Sequence, residues 1–204
     1  MTAAGASVAG AFAACLVAAV VSPLTLGGQR SQEAAALFAS DLAQYRATQP
    51  DVRSASLVAA AAAGYEDRGF FRRPRWMPPL SPSGLARAIV RNLRGIPQGG
   101  STIPQQLAKL YLRGAQRAGL LDKLSEGLFA TWLVRQAEPD EIAGLYLNLS
   151  AGTSMGTVRR PADGLHRLSL ALFGLPLRRL SREDQVVLGA SPREVQWLRE
   201  HPTL

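Results

Sequence analysis

Three groups of residues in this 204-residue chain have the types and spacing to do chemistry. The richest lies at 98–109 and reads Gln-Gly-Gly-Ser-Thr-Ile-Pro-Gln-Gln-Leu-Ala-Lys. Gly99 and Gly100 end a loop, Thr102 can cap a helix, and Gln105 can close a capping box with it. Pro104 falls in the first helical turn, where its missing N–H costs nothing. Free backbone N–H groups over Gly100, Ser101 and Thr102, together with the positive end of the helix dipole, would suit a phosphate. Lys109 stands four residues beyond Gln105 and brings an ammonium one turn further along the same face. The pattern predicts an anion cradle.

The second group is Glu66-Asp67 with Phe70. A carboxylate that ends an apolar helix beside an aromatic loses hydration, which favours its protonated form and suits a general base. Such a pair is more often the solvated end of a helix. The third group is Lys123 with Glu126, one helical turn apart. As a generic ion pair on a surface it would contribute under about 1 kcal/mol. His166 and His201 have no metal-ligand spacing to each other or to the single cysteine, and both read as incidental.

The elements that must position these groups read as helices. Residues 29–49 form an expected helix with Ala35, Leu37, Phe38, Leu42 and Tyr45 on one side. Residues 57–64 are nearly all alanine and predict a closely packed buried helix running into Tyr65 and Glu66. A loop with four prolines spans 72–83, and Ser83 can cap a helix over 84–94 that gathers Arg87, Arg91 and Arg94 on one face. Further helices are expected at 103–113, 122–137 and 139–149, then a Gly/Ser/Thr/Arg loop over 150–162. Two or three short helices close the chain, one of them starting at the Ser181-x-x-Asp184 box. Repeats and alternating strand patterns are lacking, so the fold class is mainly α.

Charge and hydropathy bound the partners. Residues 8–26 are an apolar run broken only by small residues, Ser22, Pro23 and Thr25, and the first charged side chain is Arg30. Nineteen residues are about enough to cross a hydrocarbon core of roughly 30 Å. With no basic region before the run and no small-x-small site after it, an uncleaved N-terminal transmembrane helix over 1–29 is expected rather than a signal peptide. The remainder, 30–204, reads as one domain. One cysteine excludes an intramolecular disulfide. A net charge of +8 suits anionic lipid headgroups or polyphosphate. With no recognition motif beside that charge, nucleic acid is not an expected partner. Of the 23 basic residues only Lys109 and Lys123 are lysines, and both fall in the groups above. A lysine is a compact point charge that can approach phosphate oxygens more closely than a guanidinium.

The string Gly99-Gly100-Ser101-Thr102-Ile103-x-Gln105-Gln106-Leu107-x-Lys109 resembles the GGSTI-x-QQL-x-K signature of family 51 glycosyltransferases. Glu66-Asp67-x-x-Phe70 resembles the family's first motif, ED-x-x-F, and Lys123-x-x-Glu126 its third, RK-x-x-E. Residues 141–148, with Glu141, Ile142, Tyr146, Leu147 and Asn148, resemble the fourth, EIL-E-x-YLN. The fifth survives as Gly164-Leu165 and Phe173-Gly174. The resemblance is close over 57–148 and weak after 150. Five positions depart from it. Arg73 stands where the family has histidine, Arg75 where it has glycine, Asp122 where it has arginine, Gly144 where it has glutamate and Leu175 where it has lysine.

The resemblance implies a lysozyme-like, mainly α domain that polymerises lipid II into peptidoglycan glycan strands. Glu66 would be the catalytic base and Glu126 the second essential carboxylate, holding the pyrophosphate or a divalent cation (Mg or Mn) bound to it. Gly100, Ser101, Thr102, Gln105, Gln106, Lys109 and Lys123 would bind substrate, with Arg113 or Arg117 as further cations, while Tyr146 and Asn148 would be structural. Partners would be lipid II, the nascent glycan strand, the bacterial inner membrane and proteins of a cell-wall synthesis or secretion complex. The domain would face the periplasm or cell exterior from a single-pass anchor. No Ser-x-x-Lys nucleophile occurs in these residues, which points to a monofunctional chain. Two other functions fit the same residues. Three lost charged positions, the family's histidine (Arg73 here), arginine (Asp122) and lysine (Leu175), favour a non-catalytic relative that binds lipid II or the cell wall as a scaffold. A lysozyme-type hydrolase would use the same two carboxylates but would not need an anion cradle.

Overall fold

The computed structural model describes residues 28–48, 52–74, 77, 79, 101–112, 120–154 and 161–190, without the side chains of 52–55, 120–124 and 154. The first helix, α1, is Gly28–Thr48. Its buried stripe is Ser31, Ala34, Ala35, Phe38, Asp41 and Leu42, which from Ser31 follows the i, i+3, i+4, i+7 pattern of one helical face. Leu37 was expected on that face but is 40% exposed, because one residue back from Phe38 means a turn of about 100° toward solvent.

Helix α2, Val52–Glu66, carries the alanine run. Val58, Ala59, Ala62 and Ala63 are buried, and their short side chains let a neighbouring helix approach closely. That neighbour is α7, Arg182–Ala190, which packs along α2. Its Gly189 lies so close that an added Cβ would sit 2.4 Å from the Val58 carbonyl. The expected N-terminal box of α7 is present: the Asp184 N–H donates to Ser181 Oγ at 3.1 Å, and that hydroxyl donates to Asp184 Oδ2 at 2.8 Å.

Between them run a 3-10 turn Phe70–Arg72 and helices α3 (Ile103–Tyr111), α4 (Leu120–Gln136), α5 (Pro139–Ser154) and α6 (Gly164–Phe173), then a second 3-10 turn, Leu177–Arg179. No strand occurs among the described residues, in keeping with the mainly α expectation. Helix α3 packs on α4 and α5, and α5 on α2 and α6. Ile103, Leu107, Phe129, Leu133, Ile142, Leu145, Leu147 and Leu168 fill the centre with essentially no exposure. Phe38 of α1 closes one side through edge contacts to Tyr111 and Trp132, with ring centroids 5.4 and 5.6 Å apart.

Helix α5 was expected to stop at Leu149 but continues to Ser154. Leu149 and Ala151 are buried, and Thr153 Oγ1 donates back to the Leu149 carbonyl at 2.9 Å, so packing overrides the small polar composition of that turn. The apolar run at 8–26, the helix over 84–94, Gly100, Arg113 and Arg117 lie outside the described residues. No helix among the described residues is long and apolar enough to cross a membrane.

Candidate active site

Glu66 is the last residue of α2, half-buried, where the apolar helix gives way to the loop. Its Oε2 accepts from Nε2 of Gln106, on the second turn of α3, at 3.1 Å. The same Nε2 lies 3.5 Å from the Ser101 carbonyl, and Gln106 Oε1 accepts from the Tyr146 hydroxyl of α5 at 3.0 Å. Three segments far apart in sequence thus meet at one side-chain amide. Gln106, expected among the substrate ligands, is engaged within the protein.

Asp67, next in the chain, turns the other way and is buried. Arg73 clasps it with Nη2 at 2.8 Å from Oδ1 and Nη1 at 3.1 Å from Oδ2. Bidentate charge-assisted contacts of this kind are the strongest hydrogen bonds a carboxylate makes. Asp67 Oδ2 also lies 3.4 Å from the Ile103 amide, the first N–H of α3. The positive end of that helix therefore already faces a carboxylate.

Two of the amides at this helix start are engaged within the protein. The Thr102 N–H donates to Gln105 Oε1 at 2.9 Å, which is the expected Gln105 arm of the capping box. Thr102 itself is 1% exposed, and its hydroxyl donates to the Pro79 carbonyl at 2.7 Å. With the Thr102 and Ile103 amides engaged and Pro104 lacking one, the described start of α3 has few donors left for an anion. Ser101 is half-buried and Lys109 exposed, so a phosphate would meet the side chain of Lys109 more readily than these amides. Glu126 is half-buried on α4, the helix packed against α3. Lys123 lies on the same helix, with its side chain outside the described set.

The fourth-motif residues have structural duties, as expected for Tyr146 and Asn148. Asn148 is 4% exposed; its Nδ2 donates to the Gly144 carbonyl at 3.0 Å and its Oδ1 accepts the Leu165 amide at 2.8 Å. It thereby supplies an acceptor to the N-terminus of α6. Gly164 sits so near that a Cβ there would fall 2.0 Å from the Asn148 carbonyl oxygen. Glu141 accepts the Glu138 amide at 2.8 Å and holds Arg46 of α1 at 2.7 and 3.0 Å. Gly144 faces Tyr45, whose hydroxyl oxygen lies 2.0 Å from where its Cβ would be. The glycine that departs from the family pattern is the partner of a tyrosine on α1. At the end of α6, Gly174 takes the left-handed conformation (φ 66°) of a helix C-terminus, and Leu175 follows it 39% exposed.

Sequence reasoning missed three relationships: Asp67 capping α3, Arg73 as its partner, and Tyr146 as the donor to Gln106. Only the Asp67–Arg73 charge pair left a local signal, since the other two join segments 36 and 40 residues apart.

Among proteins of known kind, the Transglycosylase family profile matches residues 33–201. The chain is 34% identical over 137 residues to penicillin-binding protein 1A of Mycobacterium tuberculosis, which covers 65% of this chain and 16% of that protein. It is 37% identical over 128 residues to penicillin-binding protein 1B of Vibrio cholerae, covering 60% of this chain and 15% of the relative. Penicillin-binding protein 1A of Aquifex aeolicus is 33% identical over 133 residues, 63% of this chain and 16% of the relative. The chain thus spans about a sixth of the length of these relatives. The family match covers most of the fold and every motif-bearing helix described above, and on that ground this chain belongs to the transglycosylase family, the glycosyltransferases of family 51.

Proposed function

We propose that this lysozyme-like domain polymerises lipid II into peptidoglycan glycan strands, with Glu66 as general base. The observation that carries this reading is the junction at Glu66. The carboxylate ends α2 half-buried and is held by Gln106 of the glycine-serine-threonine signature helix, so first and second motifs meet at 3.1 Å. In this mechanism the ionised Glu66 takes the proton of the 4-hydroxyl on an acceptor N-acetylglucosamine. The oxygen attacks the anomeric carbon of the growing chain, a glycosidic C–O bond forms, and the C–O bond to the diphosphate breaks with inversion. Undecaprenyl pyrophosphate leaves with the bonding electron pair. A positioned base contributes about 10²–10⁴-fold. The leaving group needs charge neutralisation more than a proton, which Lys109 and Lys123 would supply from α3 and α4.

A divalent cation would add positive charge at the diphosphate, with Glu126 as its protein ligand. No three His, Cys, Asp or Glu side chains gather to hold an ion among the described residues. An ion at Glu126 would be shared with the diphosphate, as Mg²⁺ commonly is. The protein would act at the outer face of the bacterial inner membrane, alongside cell-wall synthesis or secretion proteins.

The test is incubation of the detergent-solubilised protein with labelled lipid II. Polymer is expected from the wild type and none from Glu66→Gln, with thermal stability unchanged because the substitution is isosteric. Cleavage of preformed glycan without polymer would point to the hydrolase. Lipid II binding with neither reaction would point to the scaffold. Activity of Glu66→Gln within threefold of wild type would remove Glu66 from the role.

A further inference from the structure

We infer that Tyr146 is a positioning residue for the base: its hydroxyl fixes which way round the Gln106 amide sits, and so keeps an N–H aimed at Glu66. The inference rests on the reading of Glu66 as general base.

A primary amide has a donor end and an acceptor end of nearly the same shape, and a half-turn about its terminal torsion exchanges them. At Gln106 two neighbours discriminate strictly between the two, and the third, a phenol, favours one because it donates more readily than it accepts. Glu66 Oε2 at 3.1 Å and the Ser101 carbonyl at 3.5 Å are both acceptors and call for the nitrogen. The third neighbour, the Tyr146 hydroxyl at 3.0 Å, can donate to the oxygen. A flipped amide would set a carbonyl oxygen against an ionised carboxylate, but would suit a protonated Glu66, whose O–H could donate to it. The two amide orientations therefore favour opposite states of the base. The phenol, buried to 3% exposure on α5, biases the amide toward the orientation that matches a carboxylate ready to accept a proton.

The burial also explains why this role falls to α5 and not to solvent. Water donates and accepts about equally well, whereas a phenol is chiefly a donor, so a solvated Oε1 would leave the amide free to turn. A phenol held by the packed core has a fixed location, and the amide is its partner across 40 residues of sequence. Tyr146 is itself buried and acts through Gln106.

The test is a double-mutant cycle on lipid II polymerisation by the full chain, with variants Tyr146→Phe and Gln106→Leu and the two together. Tyr146→Phe should lower kcat about tenfold, a fraction of what a positioned base provides, with KM for lipid II within twofold and melting temperature close to wild type. In the Gln106→Leu background the same substitution should change kcat less than twofold, because the tyrosine has nothing left to orient. Equal effects in both backgrounds, or a change confined to KM, would overturn the inference. A second readout does not need turnover: the side-chain amide resonances of Gln106 in ¹⁵N-labelled protein. Glu66→Gln should shift them in the wild type, and by much less when Tyr146 is Phe. A shift equally large in both would overturn the positioning role. Failure of the wild type to polymerise lipid II would defeat the proposed function and leave this resonance comparison to decide the inference.

Discussion

Arg73 holds both oxygens of Asp67 at 2.8 and 3.1 Å, and through Asp67 it reaches the first amide of α3. The chain leaves α2 at Glu66, makes one 3-10 turn, and sends the guanidinium back to the residue beside the candidate base. Asp67 is then paired on one side by a cation and on the other by a helix N-terminus. The family's histidine is replaced by an arginine, whose planar guanidinium matches a carboxylate with two parallel contacts.

Removing that guanidinium should be costly. The side chains of Asp67 and Arg73 are 4% and 12% exposed, so Arg73→Ala would leave a buried carboxylate without its cation, a loss of about 3–5 kcal/mol. Arg73→His should recover part of it, most fully at acid pH. An imidazolium beside Asp67 has its proton held more tightly folded than unfolded. The recovered stability is therefore complete below the ordinary histidine range and disappears as pH rises through it. Urea unfolding at pH 5 and pH 8 measures both effects. Arg73→Ala within about 1 kcal/mol of wild type would show that the pair does not hold the loop.

Gly144 offers a test of fit. Alanine is ordinarily better than glycine inside a helix by about 1 kcal/mol. Here the new methyl would enter the Tyr45 phenol, and overpacking of this kind costs about 1–3 kcal/mol. Gly144→Ala should therefore destabilise, and the family's glutamate should do so more. In a Tyr45→Ala background the sign should reverse. Thermal denaturation of the single and double variants reads it directly, and a stabilised Gly144→Ala single variant would contradict the geometry.

Most of the helical framework was legible in the sequence because its signals are local. Thr102 with Gln105, Ser181 with Asp184 and the alanine run each carry a helix start or a packing face in a few residues. The candidate base, Glu66, was marked in the sequence by its place beside Phe70 and ahead of the signature. What was not legible is how competing partners divide the polar groups. Spacing made the start of α3 look open to phosphate, yet Gln105 and Asp67 take its amides. Gly144 looked like a loss of charge and helix propensity until Tyr45, 99 residues earlier, occupied the space. Tertiary contacts of that range leave no periodicity to read.

Tyr45 should also make stability fall in alkali. Burial, reinforced by Asp140 and Glu141, raises its hydroxyl from the ordinary 10.0 to about 12. The unfolded chain would ionise first, so this group's contribution is intact below pH 10 and is lost as pH rises from 10 through 12. Since the side chain is partly solvated, the loss should be no more than about 2 kcal/mol. Comparing denaturant midpoints of wild type and Tyr45→Phe from pH 8 to 12 isolates it. The difference between them should shrink or change sign in that interval; parallel curves would show that the phenol is not held neutral by the fold.

The last prediction concerns where a diphosphate finds its positive charge. With the Thr102 and Ile103 amides engaged, the described part of α3 offers Lys109, exposed one turn beyond Gln105. Lys109→Ala should weaken lipid II binding about tenfold, equivalent to roughly 1.4 kcal/mol. Raising salt should weaken the wild type more than the variant, because screening acts on an attraction that the variant has already lost. Lys109→Arg should keep the salt dependence while binding less tightly, since a wide planar guanidinium replaces a compact ammonium. Affinity measured for the three proteins between low and high ionic strength separates these contributions. Equal affinities and equal salt slopes in wild type and Lys109→Ala would make Lys109 ordinary helix surface and move the diphosphate toward α4.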